Sequence, residues 1–359
     1  MKIRKKTTID FTEGPLLKKI IWFAVPAMLT MLLQIFYNTA DLIIVGHFRG
    51  DEALAAVGST TSLMAMVSCI FSGLATGSGV LTAQYIGAKD EGRVEKVIHT
   101  SVLLAAALGI FISISFITCT PVILRWINVP DSIFEQAVIY ARIVYIGYPF
   151  SLINSYSSSI LRASGDTKNP LRFLTISGIT NVILNVIMVA IFGMGVEGVA
   201  IATVASNVLS TVMILSFMNR QSNCLKFSFS KLGFDWHSTK HILNIGIPTG
   251  IQNSLYNFSN MMVQSNINVF GDMTVAGNTA GANIENYPYV AQNAVQEASM
   301  TAVAQNVGAK KYRKIKKITL LSLACAGVIT VLGGAVILLF RSFFVGLYVQ
   351  EPDAVQIAF

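Results

Sequence analysis

The chain has 359 residues, of which 53% are hydrophobic and only 12% are charged, a composition that excludes an ordinary soluble globular protein. Its 26 Lys and Arg outnumber its 18 Asp and Glu, which gives a formal net charge of +8. Because the basic residues gather beside long apolar stretches, they indicate contact with a membrane surface and not with nucleic acid.

Apolar stretches of about 20 residues, long enough to cross a hydrocarbon core of ~30 Å, recur along the chain. They predict nine complete spans, at 17–46, 53–86, 96–121, 133–161, 170–192, 196–218, 242–270, 275–307 and 316–347, and a tenth that begins near Ala354. The basic segment before the first span is followed by no small-residue cleavage site, so we expect no signal peptide.

The Lys and Arg residues favour one side of the membrane. If the N-terminus is cytoplasmic, only Arg49, Arg125 and Arg341 lie on the far side, with Arg142 inside a span. This bias follows the positive-inside rule and predicts a multi-pass plasma-membrane protein with a cytoplasmic N-terminus. The basic run at 310–317 directly precedes a span, so we interpret it as a topology anchor touching anionic lipid, not as an RNA-binding patch.

A seven-residue motif occurs twice, as Ala83-Gln-Tyr-Ile-Gly-Ala-Lys89 and Ala304-Gln-Asn-Val-Gly-Ala-Lys310. Pro26 and Pro248 stand at matching positions upstream. An even number of spans separates the copies, so the repeats are parallel. The pattern predicts an all-α polytopic membrane protein of two pseudo-symmetric helical lobes. The first lobe, at 1–220, has six helices. A cytoplasmic connector at 221–240 leads to a partial second lobe at 241–359, with three helices and the start of a fourth.

A polar stripe crosses the first span. Gln34, Tyr37 and Asn38 lie seven, four and three residues before Asp41 and share its helix face. A carboxylate there is costly to keep charged and tends to carry a proton. We interpret Asp41 and Asn38 as part of a proton or cation coupling site, with Gln34 and Tyr37 on a substrate cavity. A structural helix–helix hydrogen bond is the alternative. The repeat pairs Asp41 with Val263, so the duplicated scaffold does not require the charge.

The fifth and sixth spans add polar side chains. Asn181 and Asn185 lie four residues apart on one helix face, and Thr203 on the next span joins them if the two helices pack as neighbours. Their oxygens could orient a proton on Asp41 or ligate Na⁺, so we assign all three to the coupling site. Interhelical hydrogen bonding is the alternative.

The second half carries two further stripes, at Asn253, Asn257, Asn260, Gln264 and Asn268, and at Glu285, Tyr289, Gln292 and Gln296. Lipid-facing positions would not tolerate this density of amides. We therefore predict a water-filled substrate cavity whose wall includes Asn257, Asn260, Gln264, Glu285 and Gln292. Glu285 would attract a cation, or serve a structural role.

The sequence contains no motif that supports an enzymatic function. There is no phosphate-binding loop of the Walker type, and the G-x-G-x-x-G at 193–198 is a short turn between apolar spans without a preceding strand. The four His form no cluster, and the four Cys show no metal spacing. We expect no enzyme, no metal site and no cofactor, with H⁺ or Na⁺ as a coupling ion.

Taken together, several motifs resemble the multidrug and toxic compound extrusion (MATE) family. They are Glu13-Gly-Pro-Leu-Leu-Lys-Lys19, Pro26, Tyr37-Asn38 with Asp41, Gly46, both repeat copies, and Leu161-Arg-Ala-Ser-Gly-Asp-Thr-Lys-Asn-Pro170. The resemblance implies an antiporter that expels cationic drugs or metabolites in exchange for H⁺ or Na⁺. Asp41 falls on the family's first-helix carboxylate, Asn181 on its fifth-helix asparagine and Thr203 on a sixth-helix hydroxyl.

The chain also departs from the pattern of that family. Asn185 stands where many members have Asp, and the seventh helix offers Gln252, Asn253 and Asn257 where some members carry an acidic residue. The family has twelve helices, so the resemblance implies that three are missing here. Two alternatives stay open: a flippase for a lipid-linked saccharide, which needs cations inside its cavity, and a non-transporting membrane scaffold. We expect small cationic substrates and membrane lipid as partners, no nucleic acid, and a monomer.

Overall fold

The structure is a computed structural model that describes residues 8–267, 269 and 272–346. Within these ranges the chain forms helices and contains no β-strand. The helices are α1 Leu16–Gly87, α2 Glu91–Trp126, α3 Asp131–Ala163, α4 Lys168–Asn185, α5 Val196–Asn219, α6 Trp236–Ile267, α7 Asp272–Gly308, α8 Tyr312–Leu339 and α9 Arg341–Gly346. A π-helical turn, Val186–Ile191, extends α4, and a short 3₁₀ turn, Phe229–Lys231, lies before α6. The predicted all-α polytopic membrane fold is confirmed.

The first two predicted spans belong to one helical stretch that breaks at Gly50. This glycine has φ 79° and ψ −176°, a conformation that residues with a Cβ atom rarely adopt. The break divides α1 into a first arm, residues 16–49, and a second arm, residues 51–87. Beside the break, Arg49 Nη2 donates to the Val189 carbonyl at 3.1 Å, which ties the end of the first arm to the π-helical turn after α4.

Six of the described helices are long and apolar enough to cross a membrane: α1, α2, α3, α4 with its π-helical turn, α5 and α8. The helices α6 and α7 are also long, but they carry the amide stripes and are less apolar. The predicted tenth span near Ala354, like Asn268 of the first stripe, lies outside the described residues.

The loops that follow the second arm and α7 meet at one end of the bundle. This end is called here the basic end and comprises residues 8–15, 88–90, 164–167, 220–235 and 309–311. Both repeat motifs finish their helices in the same way. Lys89 and Lys310 adopt left-handed conformations, with φ 57° and 56°. Their N–H groups donate to the carbonyls of Ile86 and Val307, each at 3.0 Å. The duplicated sequence therefore gives a duplicated helix end.

Three close helix crossings join the two repeats. A Cβ on Gly250 of α6 would lie 2.6 Å from the Ile70 carbonyl oxygen, and one on Gly77 would lie 2.5 Å from the carbonyl oxygen of Ile242. Real Cβ atoms essentially never come within 3.0 Å, so these glycines let the second arm and α6 touch backbone to backbone. The first arm instead packs on α7 and α8 through a larger apolar cluster that includes Ile20 and Ile318.

The third crossing is reciprocal and lies at the basic end. A Cβ on Gly87 would overlap the Gln305 carbonyl oxygen, and one on Gly308 would overlap the Gln84 carbonyl oxygen. Gly87 and Gly308 are equivalent in the repeat, as are Gln84 and Gln305. Each motif thus contacts the other through the same two residues, as in a two-fold interface.

Candidate functional site

Asp41 lies on the first arm and faces α4. It is half-buried, and its Oδ1 accepts a hydrogen bond from Asn185 Nδ2 at 2.5 Å. The same amide nitrogen donates to Asn181 Oδ1 at 3.2 Å. Both asparagines are buried, at 0% and 5% exposure, so the carboxylate meets two amides in a site largely shielded from solvent. The structure therefore brings together these three of the five residues assigned to the coupling site.

The local helix geometry presents Asn185 to Asp41. Regular α-helical pairing in α4 ends at Asn185, and the π-helical turn begins at the next residue. Such single π turns are rare and often occur at functional sites. Asn185 Oδ1 is buried and has no hydrogen-bond partner within the described ranges. A buried acceptor of this kind is costly, so the pair of oxygens from Asp41 and Asn185 offers a place for a proton or a small cation.

The other two predicted coupling residues take different positions. Thr203 is half-buried on α5, and its hydroxyl donates to the Val199 carbonyl of its own helix at 3.0 Å. Asn38 is exposed. Neither is seen in a hydrogen bond with Asp41; within the described residues, the hydrogen bond to its carboxylate comes from α4.

Tyr37 fixes the distance between these two helices. A Cβ on Gly178 of α4 would overlap the Tyr37 ring, so the ring occupies space that only glycine leaves open. The Tyr37 hydroxyl donates to the Thr175 carbonyl at 3.3 Å. Tyr37 is thus a packing residue beside Asp41.

A polar cavity of about 370 Å³ lies among α1, α3, α4 and α5, and Gln34 lines it. Its wall is rich in hydroxyl groups, which the sequence analysis did not identify: Ser68, Ser72, Tyr148, Ser151, Ser155, Ser158, Ser177 and Ser210. The spacing of the serines at 151, 155 and 158 on one helix face was a signal that could have found them. We call this space the first-half cavity.

A second cavity of about 310 Å³ lies between α7 and α8. Glu285 and Gln292 line it, as do Tyr289 and Arg341. Gln292 Nε2 donates to Thr330 Oγ1 at 2.8 Å, and Glu285 is exposed. At its side, Tyr289 stacks on Tyr256 of α6 with ring centroids 6.2 Å apart and planes only 5° from parallel. This second-half cavity combines a carboxylate with flat aromatic faces.

The remaining amides predicted for the cavity wall lie elsewhere. Asn257 Nδ2 donates to Cys69 Sγ at 3.2 Å, across the contact between α6 and the second arm. Gln264 Oε1 accepts from Asn278 at 3.0 Å, and Asn260 is exposed. The two cavities share no lining residue, so the predicted substrate residues are divided between them and the surface between the repeats.

The basic end is closed by contacts between the two repeats. Arg162 Nε of α3 lies 2.5 Å from Glu297 Oε1 of α7, an ion pair in which both side chains are mostly buried. Glu297, which follows Gln296 of the second polar stripe, therefore serves this contact. Arg162 also lines the first-half cavity, so the ion pair forms part of its floor.

The segment of residues 9–13, here the N-terminal segment, is bound at the same end. Phe11 is fully buried, and its N–H donates to Gln305 Oε1 at 2.9 Å. Gln305 Nε2 in turn donates to the Ala163 carbonyl at 3.0 Å. On the other side, Asn306 Nδ2 donates to the Phe11 carbonyl at 3.2 Å. One buried glutamine of the repeat motif thus connects the N-terminal segment, α3 and α7.

The loop between α3 and α4 also contacts the N-terminal segment. Gly165 has φ 85°, and a Cβ there would overlap the Ile9 backbone. The Ile9 N–H donates to the Gly165 carbonyl at 3.3 Å. Burial raises the pKa of the Asp166 carboxyl in this loop, while hydrogen bonds from Asn169 act in the opposite direction. The loop residues quoted for the family resemblance therefore hold the N-terminal segment.

The MatE family model matches residues 26–187 and 248–358, about three quarters of the chain. The chain belongs to the MATE family. The two matched segments begin at Pro26 and Pro248, the equivalent prolines of the repeat. MATE proteins are transporters and not enzymes, as the sequence predicted.

Curated relatives and solved structures agree with this assignment. The chain is 28% identical over 346 residues to "Probable multidrug resistance protein YpnP" of Bacillus subtilis, covering 96% of this chain and 77% of that protein. It is 25% identical to "Probable multidrug resistance protein NorM" of Thermotoga maritima, covering 95% and 74%. In fold it resembles an outward-facing MATE transporter of the MOP superfamily, with a TM-score of 0.91 and 24% identity over 100% of this chain and 80% of that one.

Proposed function

We propose that this protein is a secondary active antiporter that exports cationic organic compounds across the plasma membrane in exchange for H⁺ or Na⁺. Asp41 is its coupling site, and the hydrogen bonds of Asn185 and Asn181 change when Asp41 gains or loses a charge. The single observation that carries the proposal is the 2.5 Å hydrogen bond between the Asn185 amide and the Asp41 carboxylate, which joins the first arm to α4.

The chemistry of this contact suits a switch. An ionised carboxylate can only accept hydrogen bonds, whereas a protonated one also donates. A proton on Asp41 therefore changes what the Asn185 side chain can bind, and the buried Asn185 oxygen is an acceptor available to that proton. A ligand that binds one arrangement better than the other shifts the population of the two, which is what coupling requires.

The second repeat supports a special role for the carboxylate. Its equivalent of Asp41 is Val263, which is 58% exposed on the surface of α6. The packing of the fold thus does not need a charge at this position, and structural ion pairing does not account for it.

Cationic substrates fit the second-half cavity. Glu285 supplies a negative charge in a cavity that Arg341 also lines, and the parallel rings of Tyr256 and Tyr289 offer faces on which a flat cation can rest. The relatives named as multidrug resistance proteins support small organic substrates. With the basic end closed and cytoplasmic, the cavities would open toward the outside, and export would proceed by alternating access of the two lobes.

The flippase alternative receives less support. Arg142, the cation that it would require, is exposed on α3 and donates to the Ile117 carbonyl of α2 at 3.3 Å. It lines neither of the two cavities described above. The arginines that do line them each have a carboxylate nearby: Arg162 pairs with Glu297, and Arg341 shares its cavity with Glu285. A scaffold without transport activity would not need polar cavities in both halves.

The test is export of ethidium from proteoliposomes containing the purified protein, under an imposed pH gradient and, separately, an imposed Na⁺ gradient. The coupling ion is the one whose gradient drives uptake or release of the dye. Asp41→Asn abolishes the gradient-driven component. Asp51→Asn, an exposed carboxylate just beyond the break in the same helix, retains it. Gradient-driven transport by folded Asp41→Asn at the wild-type rate would refute Asp41 as the coupling site.

A further inference from the structure

An apolar groove of about 480 Å³ runs along the outside of the bundle, between the first arm, α7 and α8. Its wall is made only of apolar side chains, among them Ile21, Val25, Ala294, Leu321 and Cys325. It is distinct from the two cavities described above, with which it shares no lining residue.

The repeat explains why the groove exists on this side only. On the other side of the bundle, Gly246 and Gly250 of α6 meet the second arm at Gly73 and close the gap backbone to backbone. Their equivalents in the first arm are Ala24 and Met28, which both line the groove. These side chains hold the first arm away from α7, and a space remains between them.

Helical spacing places two basic side chains toward one end of the groove. On α8, Lys317 lies one turn before Leu321 on the same helix face, and on α1, Lys18 lies three residues before Ile21. Both lysines are exposed. They lie toward the basic end, where each helix begins, and the groove continues away from them into the apolar part of the bundle.

We propose that the groove binds an acyl chain of an anionic phospholipid whose phosphate is held by Lys18 and Lys317. A wall without polar groups suits a hydrocarbon chain, and two cations at one mouth suit an anionic headgroup at the membrane surface. Charge complementarity thus selects a lipid over a second copy of this protein, whose own basic end would repel the rim. This site is independent of the ion coupled at Asp41.

Such a lipid contacts both repeats at once, because the first arm belongs to one and α7 and α8 to the other. It therefore stabilises the arrangement seen here, in which the basic end is closed. A ligand shifts a conformational equilibrium only through its differential affinity for the two states, and a lipid that spans the two halves has that property.

The experiment is lipid binding measured by native mass spectrometry on the full protein in an uncharged detergent. The probes are dioleoyl phosphatidylglycerol, dioleoyl phosphatidylcholine and the short-chain dihexanoyl phosphatidylglycerol. Wild-type protein is expected to bind dioleoyl phosphatidylglycerol about 25-fold more tightly than the phosphatidylcholine, from two lysine contacts at the membrane surface. The short-chain lipid is expected to bind weakly, because it cannot fill the groove.

Two variants with matched controls locate the site. Ala324→Phe fills the groove from an exposed lining position and is expected to abolish tight binding, whereas Ala107→Phe, at an exposed position of α2, leaves it unchanged. Lys18→Gln combined with Lys317→Gln is expected to remove the preference for phosphatidylglycerol, and Lys316→Gln to retain it.

Three results would overturn the proposal. They are unchanged binding by Ala324→Phe, equal affinity of the wild type for the two dioleoyl lipids, and a protein dimer in which the same groove-filling substitution abolishes association. If Ala324→Phe does not fold, the comparison of long and short chains on the wild type decides the matter, since equal binding of both excludes the groove.

Discussion

The reciprocal crossing at the basic end makes a specific prediction about Gly308. A Cβ at this position would overlap the Gln84 carbonyl oxygen, far inside the ordinary contact distance of 3.4 Å. In Gly308→Ala the ends of the second arm and α7 must therefore separate by more than about 1 Å, because packed helices have no free space to absorb the methyl group. Overpacking of this kind costs about 1–3 kcal/mol.

This cost falls only on the state in which the basic end is closed. If the protein alternates between two states, Gly308→Ala shifts their ratio by about 5- to 150-fold toward the state open at this end. Spin labels on Glu91→Cys and Tyr312→Cys, equivalent and exposed first-turn positions of α2 and α8, report the separation by double electron–electron resonance. The four native cysteines are first replaced by serine.

The control is Gly92→Ala, at the same end of the bundle, where the nearest atom to an added Cβ is 3.9 Å away. We expect a longer-distance population for Gly308→Ala and none for Gly92→Ala. If Gly308→Ala lowers the melting temperature but shows the same distance distribution as Gly92→Ala, the crossing is ordinary packing and the reasoning fails.

Three further substitutions test other contacts. Arg162→Met alone and Glu297→Leu alone are each expected to lower the free energy of unfolding by about 3–5 kcal/mol in denaturant titrations. The double variant is expected to recover stability, because no unpaired charge then remains buried. If the single and double variants lose the same stability, the two side chains do not form an ion pair. Gln305→Met should lower the free energy of unfolding by about 1–3 kcal/mol, because it leaves buried backbone groups unpaired, and it should expose the N-terminal segment to protease. Unchanged cleavage would count against the role of Gln305 in holding that segment. Asn185→Asp places a second carboxyl against Asp41, so the two share one proton, and we expect a changed number of ions per exported dye in reversal-potential measurements.

The helical repeat was readable from sequence because both of its signals are local. Long apolar stretches set the spans, and the two copies of the motif end their helices with the same left-handed lysine. The proximity of Asn181 and Asn185 likewise followed from helical spacing. What the sequence alone could not supply was the helix that each polar face meets, since that depends on packing between elements far apart in the chain.

Particular residues show where this limit lies. Glu297 follows Gln296 of the second polar stripe, yet it pairs with Arg162 of α3, a residue far earlier in the chain, and helical spacing within α7 carries no information about that partner. The cavity serines were missed because a hydroxyl in a helix can satisfy itself on the preceding turn and so gives little polar signal. Gln305 was identified only as part of a duplicated motif, although it bridges three segments of the chain.

Two of the contacts between the repeats differ in a way that bears on how the lobes could move. Between the second arm and α6, glycines bring the backbones together, and no side chain needs to change its packing if the helices rotate slightly. Between the first arm and α7, bulkier side chains and the groove separate the helices, and the N-terminal segment adds hydrogen bonds that must break before they part. We therefore expect the contact between the second arm and α6 to act as the hinge, and the contact beside the groove and the crossing at Gly87 and Gly308 to open. Distances measured across the hinge, between labels at residues 70 and 251, should then stay constant while those between residues 91 and 312 change.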